Sequence, residues 1–430
     1  MSEYLLHNLR LVDPEKGRTQ EGQMIHVRGD QVVAVGRNLE VAKVVRRIDL
    51  GGRVVMPGLI DCHIHIMSIK TKWANNTLMH MLPSYAHAAA AIKARNLLMR
   101  GYTTVRDAAG ADMGHREAIA SGLMLGPRMF VCGRGISQTG GHGDMRTRVD
   151  HPDPDNVHHL MGGTTGGTAR LADGVDEVRR AVRDEIRLGA DQVKIFVSGG
   201  VGSPADPIHF LQYSREEMLA AVEEAGHAGT YVMAHAYTAN AIYRAVDAGI
   251  RTIEHGNFLD KKAADLMAKK GAIFVPTLVA YEATMKFGRQ QGYPEENFKK
   301  NEKVLAVGTK SLEIAKEAGV SMAFGTDLIG ELDVHQGDEF LIRARVLSGA
   351  EIIRSATLVG AEVVGKVGEV GIIRPNAYAD MLVLDRDPLK DIRVLASNGD
   401  DIRTIIKDGV AYKDELSLGL DAAPTSIVGA

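Results

Sequence analysis

Two histidines, His63 and His65, close an apolar segment that spans residues 57–65. Residues two apart in a β-strand face the same side, so we expect both imidazoles, and Asp61 before them, on one face. Imidazole nitrogens that converge at the end of a strand suit zinc or a similar divalent ion. Because the sequence holds 16 histidines, this pair indicates a metal site only in combination with further ligands.

Lys194 lies within the run Gln-Val-Lys-Ile-Phe-Val, which has the composition of a buried strand. An ammonium group is costly to desolvate in such a position. One interpretation is a lysine that reaches the end of the strand or pairs with an acid. The other is that burial lowers the pKa of the lysine and leaves a nucleophilic amine. Carbon dioxide could convert that amine to a carbamate, an anionic oxygen ligand able to bridge two cations.

Three further apolar runs also end in a polar side chain that could bind a metal ion. Tyr-Val-Met-Ala is closed by His235, Thr-Ile-Glu by His255, and Met-Ala-Phe-Gly-Thr by Asp327. In a barrel of parallel strands, active sites form at the carboxyl ends of the strands. This chain carries His, Lys, His, His and Asp at such strand ends. The pattern therefore predicts a metal centre at the rim formed by the carboxyl ends of the strands.

The middle of the sequence alternates between strand-like and helix-like segments. The apolar residues of 175–188 recur with a helical period, and Ser214 with Glu217 forms a capping-box pattern. Eight strands, each followed by a helix, predict an α/β fold with a (β/α)8 TIM barrel over residues 56–365. An open doubly wound sheet is the alternative, but the Gly-rich phosphate fingerprint it would need is absent. The candidate strands are residues 54–66, 103–107, 129–133, 192–198, 231–237, 252–255, 273–278 and 322–327.

Both ends of the sequence consist of short strand-like runs separated by turns. Residues 1–55 contain no helical pattern, and residues 366–430 include a hairpin signal at Asp408-Gly409. We therefore expect 1–55 and 366–430 to form one small β-sandwich domain. Two insertions, residues 137–170 and a polar stretch at 280–303, follow strands and are expected at the catalytic rim.

The composition of the sequence limits the kinds of partner that the protein can bind. The 430 residues are 45% hydrophobic with a formal net charge of −3, which favours a globular protein and disfavours nucleic acid or an anionic membrane as a partner. No apolar run is long enough for a membrane span. No leader is recognisable, so we expect a cytoplasmic protein, with the mature form of an exported protein left open. Cys62 and Cys132 make no disulfide framework.

With these residues in this order, the sequence resembles the amidohydrolase superfamily over nearly its whole length. The resemblance implies two divalent metal ions, with zinc expected, and a hydroxide that bridges them. It implies that Asp327 also orients or deprotonates that hydroxide. The implied ligands are His63, His65 and Asp327 for one ion, His235 and His255 for the other, and carboxylated Lys194 as the bridge.

Local motifs narrow the resemblance to one branch. Mononuclear deaminase-like relatives have a glutamate three residues after the strand-five histidine, whereas this sequence has His-Ala-Tyr-Thr at 235–238. The sequence resembles Xaa-Pro dipeptidases and ochratoxinase-like amidases in three motifs: this one, Lys-Ile-Phe-Val-Ser-Gly-Gly at 194–200, and Gly-Gly-His-Gly at 140–143. The branch implies a small-molecule or dipeptide substrate that loses an L-amino acid, and a homo-oligomer, with octamers among its members.

Two more side chains are predicted to act on the substrate. Tyr237 shares a strand face with His235, so its hydroxyl is a candidate to stabilise the tetrahedral oxyanion; packing at the barrel rim is the alternative. His142 lies in a glycine-flanked loop and is a candidate contact for the carboxylate of the leaving residue; an exposed loop histidine is the alternative. Competing functions are a hydrolase of cyclic amides, carbamates or arylureas, and a non-catalytic scaffold or binding protein.

Overall fold

The computed structural model describes residues 3–69, 81–146, 168–203 and 206–421. Its strands are β1 (Glu3–Asp13), β2 (Arg18–Arg28), β3 (Gln31–Gly36), β4 (Arg46–Pro57), β5 (Leu59–Ile64), β6 (Tyr102–Asp107), β7 (Arg128–Phe130), β8 (Gly135–Ser137), β9 (Ala169–Leu171), β10 (Val193–Phe196), β11 (Val232–Thr238), β12 (Thr252–Phe258), β13 (Ile273–Val275), β14 (Met381–Leu384), β15 (Ile402–Lys407) and β16 (Val410–Asp414). Its helices are α1 (Pro83–Met99), α2 (Met113–Ala120), α3 (Val175–Arg187), α4 (Arg215–His227), α5 (Ala239–Asp247), α6 (Lys261–Lys270), α7 (Leu278–Phe287), α8 (Glu295–Glu317), α9 (Asp338–Arg343), α10 (Gly349–Ser355) and α11 (Leu358–Val363).

Strands from both ends of the described chain form one seven-stranded sheet, in the order β16-β15-β14-β4-β1-β2-β3. Strand β4 is central, because it pairs in parallel with β1 and antiparallel with β14. The turn between β15 and β16 is the expected hairpin: Asp408 and Gly409 have φ values of 51° and 73°, as a two-residue turn of this kind requires. The domain limits 1–55 and 366–430, and the sandwich layering, stay predictions.

The central part of the chain is α/β, with parallel strands in two sheets. One sheet has the order β5-β6-β7, and the other has the order β13-β12-β11-β10-β8-β9. Backbone hydrogen bonds join them through residues 321–324: Phe274 N donates to the Ser321 carbonyl at 2.8 Å, and Cys62 N donates to the Phe324 carbonyl at 2.8 Å. The carboxyl ends of β5 and β13 therefore lie on either side of this segment, which leads directly to Asp327.

Two sequence predictions about strands need correction. The single strand expected at 54–66 is divided at Gly58, because β4 belongs to the terminal sheet and β5 to the parallel one. A Cβ at Gly58 would lie 2.1 Å from Thr103 Oγ1, so only glycine fits this crossing point. The strand expected at 322–327 is reduced to one bridge between Met322 and Phe274. The polar insertion at 280–303 lies mostly within helices α7 and α8. Residues 147–167 of the other insertion lie outside the described residues.

Helix signals in the sequence are confirmed. Helix α3 spans the periodic segment, and Ser214 caps α4 by accepting from Glu217 N, while the Glu217 carboxylate accepts from Ser214 N. The largest hydrophobic cluster unites α3 to α6 with β8 and β10 to β13, which fixes the ends of those strands. In the parts of the chain that the structure describes, every helix is too short or too polar to cross a membrane.

Candidate active site

The strand ends that the sequence singled out meet around one cavity of about 130 Å³. Strand β5 ends near His63 and His65, while β10, β11 and β12 supply Lys194, His235 and His255. The segment after residues 321–324 supplies the acid. The cavity is lined by His63, His65, His142, Lys194, His235, Tyr237, His255 and Asp327, together with residues of α7, α8 and neighbouring loops. The structure thus brings every predicted site residue to one place.

Asp327 is the carboxylate around which the histidines gather. Its Oδ1 lies 3.0 Å from His65 Nε2 and 3.5 Å from His63 Nε2, and its Oδ2 lies 3.8 Å from His255 Nδ1. Ligand atoms of His63, His255 and Asp327 all lie within 4.8 Å of one another. Such a compact set of imidazole nitrogens and a carboxylate fits a divalent ion of the zinc type.

Contacts on the outer side of the rings fix the orientation of two candidate ligands. His65 Nδ1 donates to the Ala109 carbonyl at 2.9 Å, and His63 Nδ1 donates to Glu254 Oε2 at 2.7 Å. Arg106 in turn donates to both Glu254 oxygens, at 2.8 and 2.9 Å. With Nδ1 engaged in these outer contacts, Nε2 of each ring faces Asp327. Outer contacts of this type orient histidine ligands in metal sites.

Arg106 and Glu254 are functional residues that the sequence reasoning missed. Both side chains are completely buried. Burial opposes the charge of Arg106, but the Glu254 carboxylate outweighs this effect and raises the pKa of the guanidinium. A signal that could have found Arg106 is a cationic residue inside a predicted strand, here 103–107, as for Lys194.

Lys194 is buried, and its Nζ has no hydrogen bond to any of the described residues; its contact is the Phe196 ring, with the centroid at 5.5 Å. Burial lowers the pKa of this ammonium group, although Glu254 and Asp327 act in the opposite direction. The structure therefore does not support the alternative interpretation, in which Lys194 pairs with an acidic residue. A buried amine without a partner lies among the candidate ligands instead.

The electrostatics of the site keep three imidazoles neutral, whereas the Asp327 carboxylate outweighs the effect of burial on His65 and raises its pKa. Burial lowers the pKa of His255 to about 3 and holds the pKa values of His63 and His235 well below their usual range. Burial would raise the pKa of Asp327, but the surrounding histidines outweigh it and lower that pKa. Neutral imidazole and ionised carboxylate are the forms that bind metal ions.

The backbone at two of these positions is strained. His255 and Asp327 have φ values of 72° and 53°, in the left-handed region that side chains rarely adopt. Such conformations cost roughly 1–3 kcal/mol each and concentrate at functional sites. Asp61, which the sequence placed on the same face as His63, does not line the cavity. It accepts from Thr326 Oγ1 at 2.6 Å and from His63 N at 3.0 Å, and so ties the strand of one ligand to the segment of another.

His142 lies against the candidate metal centre and is held by polar contacts. Its ring stacks on His235 with the centroids 4.1 Å apart. Its Nδ1 lies 2.8 Å from Ser203 Oγ and 3.0 Å from Asp206 Oδ2. A Cβ at Gly200 would lie 2.2 Å from the ring, so this glycine is required for the observed ring position. The alternative of an exposed loop histidine is excluded, because the side chain is only 13% exposed.

Tyr237 is part of a chain of hydroxyl groups beside the candidate ligands. Its hydroxyl lies 2.8 Å from that of Tyr281, which lies 3.4 Å from Thr277 Oγ1. Thr277 Oγ1 in turn lies 2.8 Å from His255 Nδ1. The sequence reasoning missed Tyr281 and Thr277, since nothing in their local pattern distinguishes them from packing residues.

The chain is similar to known proteins over most of its length. The amidohydrolase family model matches residues 54–411. Ochratoxinase from Aspergillus niger is 33% identical over 347 residues, which are 79% of this chain and 72% of that protein. Two crystal structures, of an amidohydrolase and of a prolidase complexed with N-methylphosphonate-L-proline, are 46% and 44% identical, with TM-scores of 0.93 and 0.92. Each alignment covers 96% of this chain and 100% of the other.

The α/β fold, the cavity and these relatives together define a hydrolase that acts on amide bonds. The chain belongs to the amidohydrolase family, in the branch that contains ochratoxinase and prolidase structures. Enzymes of this superfamily generally contain two metal ions, and the histidine and aspartate cluster is a candidate site for them.

Proposed function

We propose that this chain is a two-metal amidohydrolase that removes an L-amino acid from a dipeptide or an N-acyl amino acid. Support comes from two relatives, a prolidase whose structure holds N-methylphosphonate-L-proline and an ochratoxinase. The observation that carries the proposal is the convergence of His63, His255 and Asp327 beside the unpaired amine of Lys194. Prolidase-like, carboxypeptidase-like and ochratoxin-type amides all fall within this substrate class.

The donor set fits a pair of divalent ions, with zinc as the expected metal. Two such ions would lower the pKa of a water molecule and polarise the scissile carbonyl. The outer contacts of His63 and His65 support their role, because both rings present Nε2 to Asp327. The proposed ligands are His63, His65 and Asp327 for one ion, His235 and His255 for the other, and Lys194, carboxylated by carbon dioxide with loss of one proton, between them.

The remaining steps use side chains of this protein. Asp327 accepts a proton from the attacking water and passes it to the leaving amine, as a positioned general acid and base. Tyr237 donates its hydroxyl hydrogen to the oxyanion that develops on the carbonyl, while Tyr281 holds that hydroxyl in place. His142 contacts the carboxylate of the leaving residue.

Closure of the barrel around this site and the layering of the terminal domain are also proposals. Residues 321–324 bridge β13 and β5, and Asp191 N donates to the Val131 carbonyl at 2.7 Å on the other side. These contacts support closure of the parallel strands into one (β/α)8 barrel within residues 56–365, with a β-sandwich formed by 1–55 and 366–430. We also propose that the protein forms a homo-oligomer and is located in the cytoplasm.

The test is a substrate library assayed with metal-depleted and zinc-loaded protein. The library contains dipeptides and N-acyl L-amino acids beside hydantoins, carbamates and phenylureas. We expect about two ions per chain and zinc-dependent release of a free L-amino acid. Fully active protein without metal would contradict the metal centre. Hydrolysis confined to the cyclic amides, carbamates or ureas would replace the proposed substrate class with the competing one.

A further inference from the structure

Helix α8 places two asparagines in the wall of the cavity. Asn297 and Asn301 both line it, and their side chains are 5% and 0% exposed. They are four residues apart, so they lie on the same face of the helix, one turn from each other. Asn297 Nδ2 and Asn301 Oδ1 are buried and have no hydrogen-bond partner. An unsatisfied buried amide destabilises a folded protein, which leucine at these positions would avoid.

The identity of the free amide atom of Asn301 is fixed by its surroundings. Asn301 Nδ2 donates to the Tyr281 carbonyl at 2.8 Å. Because a carbonyl oxygen only accepts, the opposite orientation of this amide would lose the bond, and the unpartnered atom of Asn301 is its oxygen. The wall therefore offers one acceptor, from Asn301, beside the unpartnered Nδ2 of Asn297.

The residues that line the cavity beside these amides carry no charge. We call this part of the cavity the α8 wall, formed by Ala280, Thr284, Asn297, Asn301, Ile329 and Leu332. No residue of the α8 wall is charged, and the unpartnered oxygen of Asn301 would repel a carboxylate. Because the proposed function places the carboxylate of the leaving residue at His142, we assign this wall to the acyl part of the substrate.

We propose that the α8 wall is the subsite for the acyl group and that it selects acyl groups carrying an uncharged amide. Asn297 Nδ2 donates to the amide oxygen, and Asn301 Oδ1 accepts from its N–H. The aliphatic side chains of Ile329 and Leu332 contact the rest of the acyl group. This inference rests on the proposed function, since it assigns one end of a substrate whose other end is an L-amino acid.

The test compares two substrates of nearly equal length, N-acetylglycyl and pentanoyl derivatives of the leaving L-amino acid that the library selects. Only the first carries an amide in its acyl group. We expect wild-type kcat/KM to favour the N-acetylglycyl substrate by at least about tenfold, because a site with unpaired polar groups rejects an analogue that lacks their partners. Asn297→Leu and Asn301→Leu should each reduce this ratio by about tenfold.

The matched control is Asn257→Leu. Asn257 is 1% exposed, and both of its amide atoms lack a partner, but it does not line the cavity. This variant should change the two kcat/KM values equally and leave their ratio unaltered. Asn301→Leu also removes the hydrogen bond to the Tyr281 carbonyl, so the thermal stability of each variant is measured together with its kinetics. If Asn301→Leu does not fold, Asn297→Leu alone provides the test.

The outcomes separate the two proposals. A wild-type ratio near one, or a ratio unchanged in Asn297→Leu, would show that these amides hold only an internal water, and would overturn the subsite. A ratio that falls in Asn257→Leu as strongly as in Asn297→Leu would overturn it as well. Absence of any cleaved dipeptide or N-acyl amino acid in the library would overturn the proposed function itself.

Discussion

Replacement of Glu254 by glutamine is the sharpest test of how this site is held together. The carboxylate lies between Arg106, which donates to both its oxygens, and His63, whose Nδ1 lies 2.7 Å away. Glu254→Gln keeps the shape of the side chain but removes its charge. Two separate effects should follow, one on the stability of the fold and one on the affinity for metal.

The magnitude of each effect can be worked from these contacts. Removing one charge of a buried ion pair destabilises a protein by roughly 3–5 kcal/mol, because the other charge stays buried without its partner. Arg106 also donates to the Cys62 carbonyl and to Thr252 Oγ1, so we expect the lower end, about 3 kcal/mol. Loss of an outer contact to a ligating histidine weakens metal binding by roughly 10–100-fold.

Two assays with a matched control distinguish these effects. Urea unfolding of the metal-free protein measures stability, and competition with a chromogenic chelator measures zinc affinity. Glu339 forms a second completely buried pair, with Arg343 at 2.7 Å, and contacts none of the candidate ligands. Glu339→Gln should therefore lose similar stability while its zinc affinity stays at the wild-type level.

The reasoning would be refuted by either of two results. Wild-type zinc affinity in Glu254→Gln would show that His63 does not depend on its carboxylate partner. An equal fall of zinc affinity in Glu254→Gln and Glu339→Gln would show that affinity follows general stability rather than the contact to the imidazole.

Three other substitutions test individual roles. Lys194→Ala should lower bound metal and reduce kcat/KM by at least about 100-fold, with partial recovery when a short carboxylic acid is added in place of the lost ligand; a variant with full metal content and activity would contradict the bridge. Asp327→Asn should lower kcat by roughly 10²–10⁴-fold with little change in substrate binding, and near-normal turnover would remove its role as proton acceptor. Gly200→Ala places a Cβ 2.2 Å from the His142 ring. Displacement of that ring should raise KM by about tenfold and affect kcat less, since overpacking costs roughly 1–3 kcal/mol. An unchanged KM would show that His142 does not contact the substrate.

The candidate ligands could be predicted from the sequence because each is a polar residue that closes an apolar strand. That pattern is local, so His235 and His255 are visible without any knowledge of their neighbours. The outer contacts are not local. Arg106 and Glu254 are 148 positions apart, and nothing near either residue indicates its partner. Only the pairing of β6 and β12 with their respective sheets brings them together behind His63.

The fold was predicted well where the hydrophobic period was regular and less well elsewhere. The helix at 175–187 and the cap at Ser214 follow from local patterns. The sequence analysis did not predict helices α7 and α8, because 280–303 is largely polar; Asn297 and Asn301, for example, face the cavity rather than a hydrophobic core. The continuous apolar run through 54–66 concealed the change of sheet at Gly58, because both parts are buried strands.

The central position of β4 has a consequence for how the protein is made. Its residues 54–57 pair with residues 381–384, and only Gly58 separates it from β5, which carries His63. On the ribosome, every candidate ligand emerges before that edge of β4 can be covered. An unpaired edge strand is a template for association with other chains. Premature termination before residue 381 would therefore yield a product that has all its candidate ligands but an unpaired, aggregation-prone edge on β4.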